Sequence, residues 1–218
     1  DPRPVERERS GCFLPGTLVR TRNGSVPIEA VWPGQELQVY DPRADSWSTE
    51  GVTRTIQLAY EGEVVTLQVA DEVLQVTGRH PFLVTDGQAL EKRPLPAELT
   101  AAEALSPDQG RWVEARSLLP GDALVGRQGR ELRLSSVFVE QRRSPVFHME
   151  VTGPRTYAAS RLGIVVHNGG EAESAAKAPV ETERASRERH IMRGAAIPAS
   201  LPARIQDERV RVYSGACT

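Results

Sequence analysis

Cysteine is scarce in this chain: Cys12 and Cys217 are the only two in 218 residues, and they stand near opposite ends. A disulfide framework is therefore not expected, and cysteine usage leaves the redox compartment open. Aromatic residues make up only 5 %, yet 39 % hydrophobic residues can support the core of one substantial domain with appendages. No apolar run approaches the roughly 18 residues that span a membrane, and no apolar signal segment opens the chain. Neither charge sign dominates: 27 Lys and Arg face 29 Asp and Glu, for a formal net charge of -2. Bulk electrostatics thus argues against nucleic acid or a membrane surface as a partner. CxxC and HExxH spacings and a glycine-rich phosphate loop are all lacking, so neither a metal nor another cofactor is expected. The chain begins Asp1-Pro2-Arg3 without methionine and reads as a piece of a longer polypeptide, with any targeting information upstream.

What is present is mainly β-patterning. Residues 1–10 are charged and proline-containing and read as a linker. Thr17 to Arg22 and Ser25 to Ile28 flank Asn23-Gly24, a hairpin signal. Val65, Leu67 and Val69 alternate with Thr66 and Gln68, and Leu74 and Val76 continue after a turn at Ala70-Asp71-Glu72. Further strands are expected over Glu36 to Tyr40, Val52 to Tyr60, Leu132 to Val139, Val146 to Val151 and Ile164 to Val166. An insertion at about 87–111 is rich in Ala, Glu, Pro and Leu, with a short helix expected over Ala101 to Leu105. From 169 to 218 the composition turns to Ala, Glu, Arg and Ser, as in a flexible or helical tail or the start of an effector segment.

A weak internal repeat runs through the β region. Ile28-Glu29-Ala30 precedes Pro33-Gly34, and Val113-Glu114-Ala115 precedes Pro120-Gly121. Each copy continues through a strand, Val64 to Val69 or Val146 to Val151, and ends in a histidine segment, at His80 or His167. The shared order implies two pseudo-symmetric halves that bring the histidines toward a common centre.

Four places carry candidate chemistry. Asn168 follows His167 at the end of the apolar run Ile164-Val165-Val166; its side-chain amide can attack its own carbonyl and break the Asn168–Gly169 bond, with His167 passing a proton to the leaving amine. Asn-Gly is equally a common turn pair. The Cys12 thiolate can attack the Gly11 carbonyl to form a thioester, although a lone cysteine more often serves as a small buried apolar residue. Thr77 and His80, three residues apart in Thr77-Gly78-Arg79-His80-Pro81-Phe82, supply a hydroxyl that polarises an amide and an acid for its nitrogen. They also fit a surface turn, since Pro81 drives His80 toward extended geometry. His148 lies on a strand and reads first as a core or surface histidine, with an auxiliary role as the alternative. His190 lies in the charged tail and reads as solvated.

Together these segments resemble the Hint superfamily of inteins, bacterial intein-like domains and hedgehog autoprocessing domains. Cys12-Phe13-Leu14-Pro15-Gly16-Thr17 resembles its first block, Thr77 to Phe82 its TxxH block, and Gly163 to Asn168 its terminal block. Trp112 to Asp122 is most similar to the Hint modules placed before toxins in bacterial polymorphic toxins. The resemblance covers residues 11–168. It implies an all-β horseshoe of two pseudo-symmetric halves, with Cys12 as nucleophile, Thr77 and His80 activating Gly11–Cys12, and Asn168 cyclising with help from His167. Its implied substrates are the chain's own flanking segments. By the same resemblance, a C-terminal effector and its immunity protein are expected partners, within a secreted or cell-surface bacterial protein. Two departures stand out. Gly169 cannot accept an acyl group, which disfavours splicing and favours separate cleavages, and His148 stands where many members carry an acid. A degenerate, non-catalytic spacer and residual splicing or acyl transfer to an external nucleophile are the competing expectations.

Overall fold

A computed structural model describes the backbone of residues 5–6 and the whole of residues 11–100 and 103–167. Asn168, Gly169, His190, Cys217 and the 169–218 tail lie outside the described residues.

The described chain is all-β, with helix confined to single 3₁₀ turns. Its strands are β1 (Val5–Glu6), β2 (Leu18–Thr21), β3 (Gly24–Pro27), β4 (Glu36–Asp41), β5 (Ser46–Val69) and β6 (Glu72–Thr77). They are followed by β7 (Pro81–Asp86), β8 (Arg111–Glu114), β9 (Ala123–Val125), β10 (Glu131–Val151), β11 (Thr156–Ala159) and β12 (Ile164–His167). The frame is an antiparallel ladder in which β5 and β10 pair from Val52↔Val151 to Val69↔Leu134.

Each of these long strands replaces two shorter strands expected from the sequence. The polar stretches Glu61-Gly62-Glu63 and Glu140 to Ser144 look like breaks when read alone. In the fold they face each other: Glu61 pairs with Arg143 and Gly62 with Arg142. Opposite charges across a ladder stabilise it by about 0.2–1 kcal/mol per pair, so polarity here marks solvated strand rather than loop. Strands β8, β9 and β11 escape sequence reading for the opposite reason. They are three or four residues long and buried almost throughout, leaving no alternation to detect. The expected linker is also corrected in part, because Val5–Glu6 pair in parallel with Ala59–Tyr60.

The internal repeat is a structural one. Its register differs by two residues from the expected one: the 3₁₀ turn Ile28–Ala30 matches the 3₁₀ turn Ala115–Ser117, while Val113-Glu114, expected opposite Ile28-Glu29, end β8. Gly34 N–H donates to Val52 O at 2.7 Å, and Gly121 N–H donates to Leu134 O at 2.7 Å. The return bonds, Val52 N–H to Gln35 O and Leu134 N–H to Asp122 O, are both 2.9 Å. Two Pro-Gly turns thus dock on the two long strands in the same way, one in each half. Gly34 and Gly121 have φ of 92° and 95°, which explains why glycine follows proline in both.

The insertion runs between β7 and β8. It holds 3₁₀ turns at Leu90–Lys92 and Pro107–Gln109. Of the expected helix over Ala101 to Leu105, residues 101 and 102 lie outside the described residues, and Ala104 and Leu105 are not helical. Its anchor is a buried bidentate pair: Arg93 donates to both carboxylate oxygens of Asp122, at 2.5 and 2.8 Å, and Asp122 also accepts the Leu119 N–H.

Phe13, Leu37, Leu67, Val76, Phe82, Leu124, Tyr157 and Ile164 are fully enclosed in the main core. Phe13 bridges Val76 on β6 and Phe147 on β10, which pins Gly11 and Cys12 inside the protein. Strand β12 pairs with β7 through Val166↔Phe82, so the segments carrying His80 and His167 are neighbours, as the repeat implied.

Candidate functional site

Gly11 and Cys12 lie at the centre of this frame, with Cys12 only 1 % exposed. The Cys12 N–H donates to Thr77 Oγ1 at 2.8 Å, and the Thr77 N–H donates to the Cys12 carbonyl at 2.9 Å. Thr77, at the end of β6, therefore clamps residue 12 on both sides of its Cα. The peptide nitrogen of Gly11–Cys12 is fixed by this hydroxyl. The carbonyl of the same bond is fixed from β10: His148 Nδ1–H donates to Gly11 O at 3.1 Å. Since a carbonyl only accepts, this contact sets the His148 tautomer.

His80 packs directly against Gly11. A Cβ on residue 11 would stand 2.6 Å from His80 Nδ1 and 2.8 Å from its Cα, so only glycine fits. Phe13, Phe82 and Tyr157 surround the imidazole, the nearest ring centroid being that of Phe13 at 4.3 Å. Neither ring nitrogen makes a well-formed hydrogen bond among the described residues. Burial, and then the neighbouring His148, push His80 down to about 3; attraction to the Gly11 backbone opposes this only in part. At neutral pH the ring is uncharged. Burial likewise lowers His148, against the pull of the Gly11 carbonyl.

His167 ends β12 with 1 % exposure. Its ring meets Trp112 edge-on at 5.2 Å, and its Nε2–H donates to Glu103 Oε1 at 3.1 Å. Burial takes His167 down to about 4, although Glu103 pulls the other way. A cleft of about 210 Å³, lined in part by Arg43, Glu103, Leu105, Trp112 and Arg155, opens beside it.

The structure thus gathers Gly11, Cys12, Thr77, His80 and His148 around one peptide bond, with His167 on the adjacent strand. His148 makes the direct contact with the Gly11 carbonyl that its strand position left as the lesser reading. Sequence reasoning missed Glu103, Arg155 and Trp112. The only local signal was Thr100-x-x-Glu103, which reads as a helix start: Thr100 N–H and hydroxyl both donate to Glu103 Oε2. No group of His, Cys, Asp and Glu suited to a metal occurs among the described residues. No helix among them is long and apolar enough to cross a membrane.

These histidines make stability pH-dependent. A histidine whose folded pKa is depressed stabilises the fold above its unfolded value and loses that contribution as pH falls. His80 at about 3 and His167 at about 4, against 6.5 unfolded, each cost about 2 kcal/mol between pH 7 and pH 5. Glu98 acts oppositely. Burial, then Glu114, raises it to about 7, so protonating it returns about 2 kcal/mol over the same range. From these three groups a net loss of about 2 kcal/mol is expected from pH 7 to pH 5, and about 4 kcal/mol in Glu98→Gln, from urea midpoints at the two pH values. His148, also lowered by burial, adds to the loss. An unchanged midpoint at pH 5 in both proteins would contradict the buried, neutral histidines.

Fold and site together define an intein-like domain: two β halves related by a pseudo-twofold, closed around a cysteine peptide bond, a TxxH pair and a terminal histidine. The chain belongs to the Hint domain family, whose model matches residues 11–146. It is similar to the bacterial intein-like domain from Clostridium thermocellum, with 23 % identity and a TM-score of 0.59, over 73 % of this chain and 100 % of that one. It is also similar to the DnaB intein from Synechocystis, at 18 % identity and TM-score 0.54, over 73 % of this chain and 99 % of that one. The PabCDC21-1 intein gives 15 % identity and TM-score 0.55, over 74 % of this chain and 100 % of that one. A comparison with curated protein sequences found no match. Membership supports autoprocessing as the general activity class.

Proposed function

We propose that the chain cuts itself at two bonds, Gly11–Cys12 and Asn168–Gly169, without rejoining the ends. The observation that carries this reading is the grip on one buried peptide bond. Thr77 holds its nitrogen, His148 its carbonyl oxygen, and Cys12 supplies the sulfur.

In the first reaction the Cys12 thiol loses its proton to neutral His80 and Sγ attacks the Gly11 carbonyl carbon. The oxygen gains negative charge where His148 Nδ1–H already points, so the hydrogen bond strengthens as charge develops. The C–N bond then breaks, and His80 returns the proton to the Cys12 nitrogen. The product is a thioester between Gly11 and Cys12 Sγ with a free Cys12 amine. Water or an added thiol then releases residues 1–11. Every step is acyl transfer between side chains and backbone, so no cofactor is needed.

In the second reaction the Asn168 side-chain nitrogen attacks its own carbonyl carbon, the bond to Gly169 breaks, and the proton passes through His167 to the departing amine. The upstream fragment ends in a succinimide and the downstream one begins at Gly169. Because Gly169 has no nucleophilic side chain, the thioester finds no acceptor there, which supports cleavage over splicing. The substrates are the chain's own flanking segments. The segment freed after Asn168 is a toxin-like effector, and its immunity protein is the expected outside partner.

The test is an intact-mass time course of the purified chain and of Asn168→Ala. The parent is expected to yield fragments broken after residue 168, and the variant none. A parent that stays full length with and without added thiol would overturn the reading and favour a non-catalytic spacer. An unchanged C-terminal product from Asn168→Ala would overturn the cyclisation step.

A further inference from the structure

The insertion between β7 and β8 is absent from the pseudo-symmetric plan of the two halves, and it brings a carboxylate to His167. We propose that Glu103 is a positioning residue for the Asn168–Gly169 reaction, fixing the His167 tautomer so that Nδ1 is the free base. This inference rests on the cleavage reading above.

Three observations carry it. First, the contact has one polarity. The Glu103 carboxylate accepts, so the hydrogen bond at 3.1 Å places the proton on Nε2. Second, His167 Nδ1 is buried and has no hydrogen-bond partner among the described residues. A buried, unpaired ring nitrogen is costly in a purely structural histidine, and here it belongs to the residue directly before Asn168. Third, Glu103 is held in place from several sides. Thr100 donates to its other oxygen through both N–H and hydroxyl, Arg155 Nη1 approaches Oε1 at 3.2 Å, and Arg43 Nη2 donates to the next carbonyl, Ala104 O, at 3.1 Å. Arg43 belongs to the turn between β4 and β5, and Arg155 precedes β11. Both halves of the fold therefore grip the one stretch of the insertion that meets His167.

The charges around the pair fit a neutral imidazole against an ionised carboxylate. Burial pushes Glu103 up, but the two Thr100 hydrogen bonds and then His167 and Arg155 outweigh it and leave it below the ordinary value. His167, at about 4, is uncharged at neutral pH, so Thr100 and Arg155 sustain the carboxylate there. The other charged groups nearby are Asp41 and Arg43 on the cleft wall and Glu98, which feels both Glu103 and Arg155. A carboxylate behind a histidine fixes its tautomer and raises its basicity, the arrangement used to orient general bases and metal-bound imidazoles. With Nε2–H committed to Glu103, Nδ1 takes the proton from the Asn168 side-chain nitrogen as the new C–N bond forms, then gives it to the Gly169 nitrogen as the old bond breaks.

The test uses the full chain and two readouts. Glu103→Ala is expected to slow scission after Asn168 by roughly 10–100-fold, with partial restoration in Glu103→Asp, while release at Gly11–Cys12 keeps the parent's rate and reports an intact fold. In an Asn168→Ala background, which stalls the reaction, imidazole ¹⁵N shifts are expected to report the Nε2–H tautomer of His167, and a tautomer mixture once Glu103→Ala is added. Parent-like scission in Glu103→Ala would overturn the proposal. So would slowing without any change of tautomer, or a slowing that Glu103→Asp leaves untouched. If the parent itself does not break after Asn168, the cleavage reading fails instead, and a tautomer unmoved by Glu103→Ala would still overturn the proposal independently.

Discussion

Cys12→Ala is expected to release no residues 1–11 on treatment with thiol, whereas the parent releases them. The loss is complete rather than partial, because Thr77, His80 and His148 only prepare the Gly11 carbonyl and none replaces the sulfur as nucleophile. The fold should survive. Cys12 packs in a small cluster with Leu14, Tyr60, Val64 and Val146, and removing one sulfur from it costs about 1 kcal/mol, on the scale of a deleted methylene. The backbone hydrogen bonds of residue 12 do not involve its side chain and remain. The check is intact mass after thiol treatment, with a thermal melt to establish folding. A Cys12→Ala protein that releases the same fragment at the same rate would show that the cut, if any, is made by other means.

The largest effect on stability is expected from Asp122→Ala, at about 3–5 kcal/mol, because it strands a buried guanidinium. Arg93 and Asp122 side chains are 8 % and 1 % exposed, and their bidentate pair ties the insertion to the Pro120-Gly121 turn. Asp122 also closes that turn through the Leu119 N–H at 2.8 Å. Its counterpart in the other half, Gln35, accepts the Trp32 N–H at 3.4 Å and carries no ion pair, since no insertion needs holding there. Urea unfolding checks the size of the loss. Asp122→Ala combined with Arg93→Met should recover much of it, because replacing both partners leaves no uncompensated charge. An Asp122→Ala midpoint equal to that of the parent would contradict the anchoring of the insertion.

Much of the fold was legible because its signals are local. The β2–β3 hairpin forms as expected, although its loop is Arg22-Asn23, one residue earlier than Asn23-Gly24, with Gly24 already in β3. The alternation from Val65 to Val69 lies in β5, and the two Pro-Gly turns occupy equivalent places in the halves. The long strands were not legible as such. Glu61 looks like a strand terminator until Arg143 is known to stand across from it. Candidate residues with chain-neighbour logic, such as Cys12 after Gly11 and the Thr77/His80 pair, could be named from sequence. His148 could be named only as an alternative: its strand register was readable, but the Gly11 carbonyl it meets is 137 residues away in the chain. Glu103 could not be found at all. Its local pattern advertises a helix start, and its partner His167 is 64 residues distant. Asn168 is legible from its place after His167 at the end of the apolar run Ile164-Val165-Val166, and it lies outside the described residues.

The central claim is that Gly11 passes to the sulfur of Cys12. Hydroxylamine, which attacks thioesters far faster than amides, tests it most directly. Treating the folded parent at neutral pH should release residues 1–11 carrying a C-terminal hydroxamate on Gly11, with the complementary fragment beginning at an unmodified Cys12. Recovery of the parent with Gly11–Cys12 uncut, after prolonged hydroxylamine treatment of a protein shown to be folded, would contradict the account.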